Sequence, residues 1–206
     1  MSNLPSSQNP EADLDVSLME KVARGDHEAF EKIVQRHRYA VVGTVAKMLG
    51  SHSEAEDIAQ QVFLRLWKSA GRYQPTAKFT TFLFTITRNL VFNETRRKSR
   101  RSEQSLEEQA DEWHQQFREK EHSQPDARLL ELELRDAVNR AIASLPEKQR
   151  MAVVLRRHEK MSYEDIAAIL GISVSAVKSQ LFRARTTLRE MLGKFLGASS
   201  APAEND

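Results

Sequence analysis

The chain has no cysteine among its 206 residues. That absence excludes a disulfide scaffold, thiolate zinc sites, iron–sulfur clusters and a cysteine nucleophile, and it suits a reducing compartment. Glycine and proline are scarce, at 7 and 6, so a collagen-like or Pro/Gly-rich low-complexity chain is excluded as well. No run of eighteen apolar residues occurs, and the first twenty residues carry Asp, Glu and Pro where a leader would carry a basic start and an apolar stretch. The expectation is a cytoplasmic chain, neither exported nor inserted in a membrane. A charge excess of one sign is also missing, since Lys+Arg 31 against Asp+Glu 29 leaves only +2. With 40% hydrophobic residues the chain still has the material for a core, in one large or two small domains.

The balanced total hides a sorting of charge along the chain. Arg96, Arg97, Lys98, Arg100 and Arg101 form a basic block at the end of an apolar segment. From Ser102 to Ala127 the sign reverses, with Glu103, Glu107, Glu108, Asp111, Glu112, Glu119, Glu121 and Asp126 against Arg118 and Lys120, and Gln throughout. That is the composition of a tether. A second basic cluster, Lys178, Arg183, Arg185, Arg189 and Lys194, contains one acid, Glu190. An isolated charge cluster is usually a solvated face, but two of them on separate domains either side of an acidic tether point to a polyanionic partner.

Helical periodicity dominates both halves. Asp26 caps a helix to about Leu49 whose stripe is Phe30, Ile33, Val34, Val41, Val45 and Met48, and Gly50 ends it. Ser53 with Glu56 reads as a capping box opening a helix to about Ser69, with Ile58, Val62, Phe63, Leu66 and Trp67 on one side. Gly71–Lys78 breaks the pattern, and a third long helix starts near Phe79 and runs into the basic block. Past the tether, Leu130, Leu134, Val138 and Ile142 step by fours, and Pro146 reads as the first-turn proline of the next helix. Ser162–Gly171 is a short helix with the pair Ser162/Asp165 at its start; Gly171 turns the chain, and Ser173 caps a helix to about Leu192. In this helix-turn-helix Ile166, Ala167 and Leu170 pack beneath the second helix, Val177 and Leu181 face inward, and Lys178, Ser179, Phe182, Arg183 and Arg185 face out. The fold class is all-α: two small helical domains, 14–101 and 128–194, joined by a flexible acidic linker, 102–127, with disordered tails at 1–13 and 195–206.

The segment SLPEKQRMAVVLRRHEKMSYEDIAAILGISVSAVKSQLFRAR, Ser144–Arg185, resembles the fourth conserved region of extracytoplasmic-function sigma factors. GDHEAFEKIVQRHR (Gly25–Arg38), AEDIAQQVFLRLW (Ala55–Trp67) and KFTTFLFTITRNLVFNETRR (Lys78–Arg97) resemble the second conserved region in order and spacing. What the resemblance implies is a promoter-specificity subunit of RNA polymerase, of the kind that serves stress or envelope genes under an anti-sigma factor, with no covalent chemistry and no cofactor or metal of its own. It implies bacterial cytoplasm, at the nucleoid when in holoenzyme. Lys178, Ser179, Phe182 and Arg183 would read the −35 element in the major groove, with Arg185 and Arg189 on phosphates. Near the −10 element, melting takes a base out of the stack into a protein pocket. That role maps to Gly71–Lys78 and Asn89, with Lys78, Asn89 and Asn93 on bases, Arg88, Arg96 and Arg97 on phosphates, and Phe79 as a stacking ring. Phe82, Phe84 and Phe92 share its helical spacing, which more often marks a core. Asp57, Gln60, Gln61, Leu64 and Trp67 would meet the clamp helices of the beta-prime subunit, although the family commonly has an acid where Gln61 stands; the beta flap is a further implied partner.

Some 26 tether residues reach about 90 Å, enough for recognition elements about 70 Å apart on duplex. Its acids also suit mimicry of RNA in the polymerase exit path, or folding back on Arg96–Arg101. Two competing readings stand beside this one. A conventional DNA-binding regulator would use the N-terminal domain for dimerisation or sensing. A metalloenzyme would draw on Glu119 and His122, or on His52, Glu54 and Glu56, but a di-iron bundle needs two such motifs with further carboxylates on facing helices.

Overall fold

A computed structural model describes residues 10–105 and 127–193, with side chains from 13 to 101 and from 133 to 193. Among the described residues eight α-helices follow in order: α1 (Pro10–Ala23), α2 (His27–Leu49), α3 (His52–Ser69), α4 (Phe79–Ser105), α5 (Ala127–Ala143), α6 (Glu147–Arg157), α7 (Tyr163–Leu170) and α8 (Val174–Met191). A single 3₁₀ turn, Ala70–Arg72, follows α3, and no strand occurs among the described residues. No single described helix is long and apolar enough to cross a membrane.

Local signals set most helix ends. The Asp26 carboxylate accepts from the Ala29 amide at 3.0 Å, and Gly50 closes α2 at φ 75°, where a side chain would be strained. Ser162 and Ser173 cap α7 and α8 by accepting from Asp165 N and Ala176 N, both at 3.1 Å. Gly171, at φ 64°, turns the chain so that α7 and α8 meet at 98°. That is helix-turn-helix geometry.

Several expectations need correction. Residues 10–13, read as tail, open α1, a helix the periodicity did not reveal. The α3 cap is Ser51, which accepts from Glu54 N, and Ser53 lies inside the helix. Gly50 turns the chain at once, so the extended residue at the helix mouth is Ser51, not Ser53. Pro146 occupies the cap position just before α6. Residues 102–105, assigned to the tether, prolong α4. Leu134 is 41% exposed, and α5 instead buries Ala137 and Ala141, so its inward face is made of small residues. The remaining tail and tether residues, 1–9, 106–126 and 194–206, lie outside the described residues, and with them Glu119, His122 and Lys194. The same holds for the Leu130 side chain.

In the N-terminal domain Ile33, Val41 and Val45 of α2 meet Ile58, Val62 and Leu66 of α3, Leu83 and Val91 of α4, and Met19 of α1. Asp15 fixes α1 to α2. Its carboxylate, buried among apolar neighbours, accepts from Arg36 Nε at 2.9 Å and pairs with His37 Nε2 at 3.0 Å. Burial alone would raise its pKa, but the His37 and Arg36 contacts outweigh it and hold the carboxyl below its ordinary value. In the C-terminal domain Met151, Val154 and Leu155 of α6 pack on Ile166 and Ile169 of α7 and Val177 of α8.

The two domains are not separate bodies. Their buried side chains form one connected cluster, in which α7 lies along α4 and α6 meets α2. Arg150 of α6 donates to Met48 O at 2.6 Å, to Leu145 O at 3.1 Å and to Ala143 O, tying the end of α2 to the α5–α6 turn.

Asp15→Ala removes the acceptor of two charge-assisted bonds and should lower unfolding stability by about 2 kcal/mol in urea titration at pH 7. Because the folded-state pKa is depressed, this contribution exists above the unfolded value and disappears as pH falls through the folded one. The difference between variant and parent should therefore shrink below about pH 4.

Candidate nucleic-acid interface

On α8, helical spacing divides the side chains cleanly. Val177 and Ala184 are fully buried and Leu181 partly so, while Lys178, Ser179, Arg183, Arg185 and Arg189 are exposed. Phe182 stands out at 71% exposed. A large aromatic so far out in water on a basic helix face is not explained by packing. The Ser179 hydroxyl donates to Ser175 O at 3.1 Å, so it is turned onto its own helix.

A second site lies between α3 and α4. An open recess of about 350 Å³ is lined by Arg65, Lys68, Ser69, Arg72, Ile86 and Asn89. Ile86 and Asn89 are neighbours on one side of α4. Arg65, Lys68 and Arg72 follow at i, i+3 and i+7 along α3 and its 3₁₀ extension, so three cations line one wall. Asn89 was expected here. The three cations were not, although their spacing on one helix face was readable.

The other expected strand contacts divide into three groups. Asn93, Arg96 and Arg97 are exposed, Arg97 pairing with Glu94 at 2.7 Å. Lys78 and Arg88 are engaged by the C-terminal domain: Lys78 Nζ meets Asp165 Oδ2 at 2.8 Å, and Arg88 Nε donates to Ile169 O at 2.9 Å. Thr81 of the same α4 stripe donates to the other Asp165 oxygen at 3.2 Å. Phe79 is a correction. It is 1% exposed, against His37 at 5.1 Å and Tyr73 at 6.3 Å, so its ring belongs to the core and cannot stack on a base in this conformation. Phe84 and Phe92 are buried too.

On the outer face of α3, Asp57, Gln60, Gln61 and Leu64 point to solvent, Leu64 at 52% exposure. Trp67 is shared between surface and fold, stacked on His27 at 4.7 Å and meeting Phe30 edge-on at 5.0 Å.

Titratable groups crowd the seam between domains. Burial would raise the Asp165 pKa, but bonds from Lys78, Ser162 and Thr81 prevail and hold it low. Two other carboxyls go the opposite way. Burial pushes Glu159 up against the Thr44 hydroxyl, which donates to it at 3.2 Å, and burial pushes Glu147 up despite Thr95 and Arg96 nearby.

An all-helical chain whose helix-turn-helix turns a basic, aromatic-bearing face outward belongs to the class of helix-turn-helix DNA-binding proteins. Residues 33–101 match sigma-70 region 2, and residues 135–188 match sigma-70 region 4. The chain is similar to the RNA polymerase sigma-H factor of Pseudomonas aeruginosa, 32% identical over 184 residues, covering 88% of this chain and 95% of that one. It is 34% identical over 176 residues to the ECF RNA polymerase sigma-E factor of Escherichia coli K12, covering 84% and 92%. Among solved structures it resembles CnrH in complex with the cytosolic domain of CnrY, with TM-score 0.64, 26% identity and coverage of 91% and 100%. The sigma factor RpoE bound to the anti-sigma factor NepR from Bartonella quintana shares the fold at TM-score 0.62 and 24% identity, covering 80% and 96%. The chain belongs to the extracytoplasmic-function group of the sigma-70 family, whose members direct RNA polymerase to specific promoters.

Glu159→Gln keeps an acceptor for Thr44 and removes the half-buried charge. Since the folded-state pKa of Glu159 is raised, the parent chain loses stability as pH climbs from the ordinary carboxyl range through that raised value. The variant should be more stable than the parent above the ordinary carboxyl range and show a flatter stability profile as pH rises from there, read by urea melts.

Proposed function

We propose that the residues described above carry promoter recognition in two separate acts. The α8 face, Lys178, Ser179, Phe182 and Arg183, enters the major groove of the −35 element, with Arg185 and Arg189 on flanking phosphates; Phe182 offers an apolar surface to a thymine methyl. The recess takes a base that has left the −10 duplex. The observation that carries this reading is its inventory: Ile86 as an apolar wall, the Asn89 amide with both a donor and an acceptor for a pairing edge, and Arg65, Lys68 and Arg72 for the accompanying phosphates. Lys78, Arg88, Asn93, Arg96 and Arg97 continue the strand's path along α4. Asp57, Gln60, Gln61, Leu64 and Trp67 dock on the beta-prime clamp of core polymerase, with Leu64 as the exposed apolar anchor, and the C-terminal domain meets the beta flap.

The chain acts in the cytoplasm as a binding subunit without covalent chemistry or a cofactor, and it serves a stress or envelope regulon. Solved relatives bound to CnrY and to the anti-sigma factor NepR support a partner of that kind here.

Run-off transcription with purified core enzyme on a library of genomic fragments tests this reading. The chain should create start sites that core alone lacks. Asn89→Ala should reduce open-complex yield about tenfold with core binding intact. Phe182→Ala should weaken promoter binding by about 1–3 kcal/mol, and Leu64→Ala should lower competition for core. A chain that never joins core, or joins it and opens no promoter, removes the proposal.

A further inference from the structure

The loop over residues 73–78 leaves the recess wall at Arg72 and enters α4 at Phe79. Gln74, Pro75, Thr76, Ala77 and Lys78 are exposed, with Thr76 N donating to Gln74 O at 2.8 Å inside the loop. So exposed a segment takes its position from its two ends. Both ends are aromatic. The rings of Tyr73 and Phe79 meet edge to face at 6.3 Å, and Tyr73 also lies against Phe82 of α4 at 5.2 Å. Phe79 is itself fixed in the core against His37. The aromatic pair therefore closes the loop at its base.

Behind the Tyr73 ring stands α1. This helix lies along the 3₁₀ turn Ala70–Arg72 and is seated in the core by Leu18, Met19 and Val22. Burial, and then the Asp15 and Glu20 carboxylates of α1, push the Tyr73 pKa up. The Tyr73 hydroxyl is buried and has no hydrogen-bond partner among the described residues. A buried hydroxyl without a partner costs stability, so what fixes this residue is its ring.

We propose that Tyr73 is a positioning residue for single-strand capture: its ring, closed on Phe79 and Phe82 and backed by α1, holds loop 74–78 and the Arg72 wall of the recess in place for the incoming strand. The inference rests on the assignment of the recess to a flipped base. It adds that α1, which contributes no residue to the recess lining, belongs to the capture machinery. Ordering a loose loop at the moment of binding costs conformational entropy residue by residue, whereas a loop fixed at its base has met that cost in folding. Tyr73 touches no base; it acts through the loop and through Arg72.

Holoenzyme assembled from core polymerase and the full chain tests this on two fluorescent probes from a promoter mapped by run-off transcription: a duplex carrying the −35 element, and a fork whose −10 strand is unpaired. Tyr73→Ala should weaken fork binding by about tenfold, while duplex binding and competition for core stay at the parent level. Tyr73→Phe should restore the fork. Tyr73→Leu fills the space without the edge-to-face contact, should fall between the two, and covers the case in which the alanine variant fails to fold. Asp15→Ala, which frees α1 from α2, should weaken the fork in the same direction, and hydrogen exchange over residues 74–78 should speed up in each weakened variant. Val45→Ala opens a cavity elsewhere in the same core and should lower the melting temperature with fork binding unchanged; if Tyr73 served stability alone, the two alanine variants would behave alike.

Fork binding at the parent level in a folded Tyr73→Ala or Tyr73→Leu chain would overturn the proposal, and so would a loss that Tyr73→Phe leaves unrepaired. Fork binding unmoved by Asp15→Ala would remove α1 from it. Asn89→Ala keeps the two readings apart: a fork that survives Asn89→Ala counts against the recess itself, whereas loss with Asn89→Ala and none with Tyr73→Ala removes only the positioning role.

Discussion

The packing of α4 constrains everything else in this molecule. One side of the helix is committed to the N-terminal core through Phe79, Leu83, Phe84, Leu90 and Val91. Burying aromatic and aliphatic side chains of this size stabilises the domain by roughly 1.5–3 kcal/mol each, so that side is unavailable for anything but packing. What remains is a narrow polar arc, and two jobs compete for it. The stripe with Ile86 and Asn89 borders α3 and forms the recess; the stripe with Lys78, Thr81 and Arg88 faces α7. A helix that holds a core, borders the recess and touches a second domain has no spare face.

The character of the seam follows from the same shortage. Residues able to grip a phosphate are cationic or hydroxylic, so whatever packs on them in the absence of DNA must offer oxygen. Asp165 and the Ile169 carbonyl do this. Asp165 is also the third residue of α7, where a carboxylate is favoured by the helix dipole and bonds the Ser162 hydroxyl at 2.8 Å. One side chain thus starts a helix of the DNA-reading motif and restrains the other domain. A capping residue reads in sequence as a purely local device, and its second role is visible only once α4 is brought alongside.

Legibility in the sequence tracked how local each cause is. Asp26, Gly50, Ser162, Gly171 and Ser173 act within one helical turn, and their roles were readable from neighbours alone. The outward row of α8 was equally plain, because Val177, Leu181 and Ala184 fix its inner side. Helix α1 was hidden because a buried aspartate interrupts its apolar stripe, and Asp15 is tolerated only through Arg36 and His37, more than twenty residues away. Phe79 was ambiguous for the same reason: the neighbours that bury it, His37 and Tyr73, come from other segments. The wall of Arg65, Lys68 and Arg72 was overlooked because the denser block at Arg96–Arg101 drew the charge reading, though dispersed cations at helical spacing make a more concave site than a contiguous run. Contact between the domains had no local signature at all. An acidic tether says that two bodies can separate, and it is silent on whether they do.

That silence matters because the tether and the seam act on one equilibrium. A linker keeps the effective concentration of one domain near the other high whatever its sequence, and the seam it favours joins apolar packing to the polar contacts of Asp165 and Arg88. Parting the domains would expose that packing to water, so an open chain gains from a partner that covers it. Asp165 on Lys78 and the Ile169 carbonyl on Arg88 offer oxygen where a phosphate would, so the polar part of the seam is exchangeable on chemical grounds. With α8 held on a duplex and α3 fixed to a large enzyme, the distance between those two anchors would decide whether the seam stays closed.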